Sequence, residues 1–136
     1  MNYLAHLYLS GDSEEQLVGN LLGDFVKGFI TDQFSENVRK GLILHRRIDS
    51  FTNSHSLTQA NRNLFSPERR KFAGIITDVC YDHFLIKNWM DYSEIELHEF
   101  ISKVHQILLN HSHFFKGKLK FLLFRKTLEH LLEINK

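Results

Sequence analysis

A length of 136 residues, with 43% hydrophobic and 24% charged content, describes a globular chain of one domain with enough apolar material to bury a core. One proline and seven glycines leave little material for tight turns and favour helices over a sandwich or barrel, and the single cysteine, Cys80, excludes an internal disulfide and points to a reducing compartment. The net charge of +1 names no partner, and no run nears the roughly 18–20 apolar residues that cross a bilayer.

The first residues, Met1 to His6, lack a basic and apolar leader pattern, so no signal peptide is expected and a cytoplasmic setting is. Asn2 to Leu9 leans to helix. Ser13, Glu14, Glu15 and Gln16 have capping-box spacing and open an apolar pattern. Leu17, Leu21, Leu22, Phe25, Phe29 and Ile30 continue it at helical intervals. Ser35 is placed to cap the next helix, on which Val38, Leu42, His45 and Asp49 share one stripe. Thr52 to Ser56 is turn-like, and a short helix follows to Leu64. Ser66, Pro67 and Glu68 read as a helix start, with serine as cap and proline at the first helical position. Behind it Phe72, Ile75, Ile76, Val79, His83 and Ile86 mark an inward face. Ser93 to Glu96 is a further capping box, opening a stripe of Leu97, Ile101, Val104, Leu108, His111 and Phe115. Lys116, Gly117 and Lys118 break the chain before a last basic helix ending near Ile134.

Ionisable groups on apolar stripes are the informative feature. His45 and Asp49 stand one turn apart on an inward face, and a buried carboxylate is costly unless it pairs or ligates. Asp78 and Asp82 repeat that spacing and His83 follows directly; two carboxylates one turn apart repel unless a cation or proton lies between them. Asp24 is a third acid in apolar sequence, and His6 and His55 are further candidate ligands. Mixed histidine and carboxylate donors suit zinc, manganese or iron. The same groups allow blander readings: His45 with Asp49 as a structural pair, one of Asp78 and Asp82 facing solvent, and His111 and His130 as hydrogen-bonded core histidines. Arg46 and Arg47 could meet a phosphate with their planar forks or remain solvated. No acid occurs between Phe100 and Leu128, where six lysines and arginines lie. That basic stretch suits an acidic partner or a solvated face. Nucleic acid is not expected, because Phe114, Phe115, Phe121 and Phe124 have core-like spacing.

Four blocks then resemble those of the acyl carrier protein phosphodiesterases: Asn2 to Leu7, Gly19 to Gly28, Leu44 to Thr52 and Asp78 to Leu85. They run in order from the start to about Trp89. The resemblance implies an all-α, single-domain helical bundle related to the HD phosphohydrolases. It implies removal of the 4′-phosphopantetheine arm from holo acyl carrier protein by hydrolysis, with a divalent cation, manganese, as cofactor. It puts Asp24, His45, Asp49, Asp78 and Asp82 or His83 at the metal centre with His6 nearby, and makes Asp24, His45, Arg46, Asp49 and His83 the catalytic candidates. Two features depart from it. The order is Asp82-His83 and not the His-Asp pair that names the wider superfamily. Family members also usually continue for several more helices, so a chain truncated at its C-terminus is expected. The stripe of Leu119, Leu122, Leu123, Leu128, Leu131 and Leu132 then predicts a homo-oligomer. Two other readings stand beside this one: a related enzyme for a small phosphoester or nucleotide, and a non-catalytic carrier-binding module.

Overall fold

The computed structural model describes residues 2–115, which form six α-helices, three short 3-10 turns and no strand. The helical class expected from composition and periodicity is what the chain adopts. The basic helix and leucine stripe read after Lys116 lie outside the described residues. Two compact units divide the chain, Met1–Leu85 and Ile86–Lys136.

In the first unit, α1 (Tyr3–Tyr8) buries Leu4, Ala5, His6 and Leu7. Helix α2 (Glu14–Leu22) starts as its sequence dictates, with Ser13 Oγ accepting from the Gln16 N–H at 3.3 Å. It buries Leu17, Val18, Leu21 and Leu22. The apolar pattern read through Ile30 does not stay helical. The helix ends at Leu22, the chain turns through Gly23 and Asp24, and Phe29 is 96% exposed beside Gly28, whose φ of +74° suits glycine.

Helix α3 (Glu36–Ser54) is capped by Ser35, whose Oγ accepts from the Val38 N–H at 3.3 Å. It buries Val38, Leu42, His45 and Ile48. It runs two residues past Thr52, and only an extended His55 separates it from α4 (Ser56–Asn63). Because α3 carries His45 and Asp49, its cap matters to both. Ser35→Ala is expected to cost about 1 kcal/mol, read as a thermal midpoint about 4 °C lower by circular dichroism; an unchanged midpoint would show that the cap contributes nothing.

Helices α2 and α3 pack on each other, and glycine sets how closely. A Cβ on Gly41 would strike the Gln16 carbonyl and lie 2.7 Å from the Asn20 nitrogen. One on Gly19 would strike the Val38 carbonyl and lie 3.0 Å from the Gly41 Cα. The two backbones therefore touch, and α2 lays Asn20 close to the face of α3 that bears His45.

Helix α5 (Ala73–Lys87) begins later than Ser66. The Ser66 carbonyl accepts from the Arg69 and Arg70 N–H groups, and a 3-10 turn over Arg70–Phe72 leads into the helix. The face expected to point inward is largely exposed: Phe72, Ile75 and Val79 are each at least half open and His83 is exposed. Ala73, Thr77 and Asp82 are buried instead. Apolar and polar residues are mixed around the helix, with Thr77 and Asp82 on its buried side, so periodicity gave no reliable phase.

In the second unit, α6 (Leu97–Asn110) buries Leu97, Ile101, Val104 and Leu108, the expected stripe, with Ile107. Its start differs from expectation. Ser93 Oγ bonds the Ile95 backbone in a local turn, and Glu96 occupies the cap position without a side-chain bond. Trp89 is buried, donates its Nε1–H to the Ile95 carbonyl at 2.8 Å and packs on Phe100 at 4.9 Å. His111 meets the Ile107 carbonyl through Nδ1 at 2.8 Å, the structural use expected for it.

Candidate metal centre

Three donors from two helices converge. His6 comes from α1; His45 and Asp49 come from successive turns of α3. One ligand atom of each lies within 4.8 Å of the others. Asp49 stands between the imidazoles: Oδ1 is 3.1 Å from His6 Nε2, and Oδ2 is 3.2 Å from His45 Nε2. The rings of His6 and His45 stack at 4.1 Å and 12°, so both Nε2 atoms face the same carboxylate.

Packing and hydrogen bonds fix these side chains. His45 is 4% exposed, and its Nδ1 is buried with no hydrogen-bond partner among the described residues. It is held by contact: the His6 ring covers one face, and a Cβ on Gly23 would lie 2.6 Å from the His45 Cβ. Only glycine leaves room at position 23 for that imidazole. His6 is held differently. Its Nδ1 is 3.0 Å from Asn20 Oδ1, and Asn20 Nδ2 donates to the His6 carbonyl and to Ser10 Oγ, each at 2.9 Å.

Burial works to raise the Asp49 carboxyl, but hydrogen bonds from His45 and His6 outweigh it and hold the group well below the ordinary carboxylate range. Asp49 is therefore an anion at neutral pH, with its side chain 37% exposed and open to a ligand. Asp24, in the turn after α2, brings Oδ1 to 3.5 Å from His45 Nε2 with its side chain 42% exposed. Burial, and then the charge of Asp24, push the Tyr3 phenol above its usual value.

Asp82 has another task. Its two carboxylate oxygens accept from the Leu4 and Ala5 N–H groups, each at 3.1 Å. It is 6% exposed, and burial raises its carboxyl even against those two donors. It thus anchors the first turn of α1, two residues before His6. Asp78 is half-buried on α5, and His83 is exposed with its ring edge against Phe84 at 5.4 Å. Among the described residues, Asp78, Asp82 and His83 stand outside the convergent group. Arg46 is exposed and donates from Nη2 to the Gly28 carbonyl at 2.6 Å, bracing the loop after Asp24.

The residues fit a divalent cation. Two imidazole nitrogens and a carboxylate are a donor set for manganese, iron or zinc. The Asn20 contact to the far nitrogen of His6 is the outer partner that metal-ligating histidines carry. Sequence reasoning missed Asn20 and the anchoring by Asp82. Asn20 had a signal: an amide on the same helical face as Leu17 and Leu21. The long-range partner of Asp82 had none.

Comparison with known proteins follows the geometry. A profile of the acyl carrier protein phosphodiesterase family matches residues 1–134. The chain is 45% identical over 89 residues to the acyl carrier protein phosphodiesterase of Photorhabdus laumondii, covering 65% of this chain and 45% of that protein. It is 42% identical over 106 residues to the protein of the same name from an Enterobacter strain, covering 77% and 55%. With one from Escherichia coli it shares 42% over 102 residues, covering 74% and 53%. The chain spans about half the length of the curated relatives it matches. No solved structure matches it.

Proposed function

Because the chain belongs to the acyl carrier protein phosphodiesterase family, we propose that it hydrolyses the phosphodiester linking 4′-phosphopantetheine to the serine of holo acyl carrier protein. The observation that carries this reading is the meeting of His6, His45 and Asp49 around one point. In the reading these three hold a divalent cation, manganese, with Asp24 at its edge; Asp82 anchors α1, and Asp78 and His83 are not ligands. Such a cation supplies Lewis acidity, lowering the pKa of water and neutralising phosphoryl charge.

The protein's own groups do the rest. Asp24, the more exposed carboxylate, is placed to accept a proton from the incoming water. The water oxygen bonds to phosphorus, the bond from phosphorus to the serine oxygen breaks, and that oxygen leaves with a proton. Arg46 and Arg47, exposed on α3, offer planar donors to the phosphoryl oxygens. The carbonyls of Val26 and Gly28 fix one end of the Arg46 fork. The carrier protein is acidic, and exposed Arg69, Arg70 and Lys71 give it a basic approach. No helix among the described residues is long and apolar enough to cross a membrane, and a cytoplasmic setting goes with this reading.

Mass spectrometry tests it directly. Holo acyl carrier protein incubated with this protein and Mn2+ is expected to lose the mass of its phosphopantetheine arm and appear as apo protein. An unchanged holo mass, with hydrolysis of a small phosphodiester in the same buffer, would assign the site to small phosphoesters. Unchanged masses for both substrates would overturn the reading.

A further inference from the structure

The amide of Asn20 can point only one way. It is 0% exposed, and one end of it faces two oxygens, the His6 carbonyl and Ser10 Oγ, each at 2.9 Å. A carbonyl oxygen can only accept. Ser10 Oγ sends its own proton to that same carbonyl at 2.7 Å, so it offers Asn20 a lone pair. The end facing them is therefore the NH2 group, and the opposite end, Oδ1, is an acceptor aimed at His6 Nδ1 at 3.0 Å. A reversed amide would set its oxygen against the His6 carbonyl oxygen, and the one Ser10 proton could then serve only one of the two.

From this network we propose that Asn20 is a positioning residue that keeps a proton on His6 Nδ1 when a cation is bound, so that the Nε2 lone pair is the one given to the cation. A neutral imidazole has one N–H and one lone pair, and the partner at one nitrogen decides which is which. Free imidazole is under no such direction, and the carboxylate of Asp49 beside Nε2 would otherwise draw the proton to that side. When a cation takes the place of that proton, the Asn20 acceptor keeps the N–H on Nδ1 and leaves the Nε2 electron pair to the metal. Ser10 completes the device by bonding both the amide of Asn20 and the backbone of His6. The α2–α3 crossing puts Asn20 where it can act, since its backbone nitrogen lies at the Gly41 contact.

The proposal rests on the cation reading for the use of Nε2, and the experiment separates the two. Zn2+, which is diamagnetic, serves as the probe. Long-range proton–nitrogen spectra of the 15N-labelled, Zn2+-loaded protein are expected to show His6 protonated at Nδ1 and bound through Nε2. Asn20→Ala is expected to weaken Zn2+ binding by about 10–100-fold, the usual cost of losing an outer partner. Asn20→Asp keeps an acceptor for Nδ1–H but puts an oxygen where the NH2 group donates to the His6 carbonyl and Ser10 Oγ, so it is expected to recover only part of that affinity. Coordination through His6 Nδ1, or an Asn20→Ala protein that folds and binds Zn2+ like wild type, would overturn the proposal and leave the cation reading standing. A wild-type protein that takes up neither Zn2+ nor Mn2+ would overturn both. If Asn20→Ala does not fold, the wild-type spectrum alone decides.

Discussion

Asp49→Ala is expected to abolish hydrolysis and cation binding while leaving the helical circular dichroism nearly unchanged. Asp49 touches both imidazoles, one through each carboxylate oxygen. Without it the two stacked rings keep Asp24, 3.5 Å from His45 Nε2, but lose the anion that spans them. Loss of an outer partner costs about 10–100-fold, so removal of the carboxylate itself should cost more, at least about 10³-fold in turnover. The fold should tolerate the change. The side chain is 37% exposed, it leaves no sealed cavity, and alanine is the best helix former. Turnover on holo carrier protein, Mn2+ titration and far-ultraviolet dichroism of one preparation make the comparison. Turnover near the wild-type rate would remove Asp49 from the site.

Gly41→Ala is expected to destabilise the protein, although alanine favours a helix by about 1 kcal/mol over glycine. The added methyl would run into the Gln16 carbonyl and come within 2.7 Å of the Asn20 nitrogen and 2.8 Å of the Gly19 Cα. All three are backbone atoms of α2, which cannot turn aside as a side chain can. Overpacking of this kind costs about 1–3 kcal/mol or more, so a net loss of about 2 kcal/mol is expected. That lowers the thermal midpoint by about 8 °C for a chain of this size. Zn2+ affinity should fall with it, because α2 cannot retreat without carrying Asn20 off His6. Gly74→Ala is the control of opposite sign. A Cβ there meets only the Arg62 guanidinium, at 3.6 Å, an ordinary contact. That variant should be neutral or gain up to about 1 kcal/mol. Equal midpoints for both variants would show that the crossing is looser than its geometry.

What the sequence made legible was local. Ser13 and Ser35 cap their helices because serine beside a helical apolar pattern has few better uses. Val38, Leu42 and His45 face inward because the polar residues between them mark the other side. Where that contrast fails, the reading fails. Helix α5 has apolar residues on every side with polar ones mixed among them, so Phe72, Ile75 and Val79 were read as core although each is at least half exposed. Phe25 and Phe29 extended an apolar period past the helix end, because period alone does not weigh Gly23 and Gly28 as breaks. At the site, His6, His45, Asp49 and Asp24 were legible as ionisable groups in apolar surroundings. The same logic picked Asp82, which is buried but bound to backbone N–H groups. A carboxylate that meets a cation and one that meets two amides look alike in one dimension. The Gly19–Gly41 approach was invisible for a related reason: each glycine is explained by a helix that its neighbours in sequence do not include.

The anchor at Asp82 also sets an order of events in the making of the protein. It reaches back 78 residues to the Leu4 N–H, a contact of high sequence separation whose loop must close before the bond forms. On the ribosome His6, Asn20, His45 and Asp49 all emerge before Asp82 does. A nascent chain can therefore pair α2 with α3 early, but α1 stays untethered at its first turn until α5 has been synthesised and docked. The first turn of α1 is thus among the last pieces to be secured, while His6 itself can already be held by Asn20.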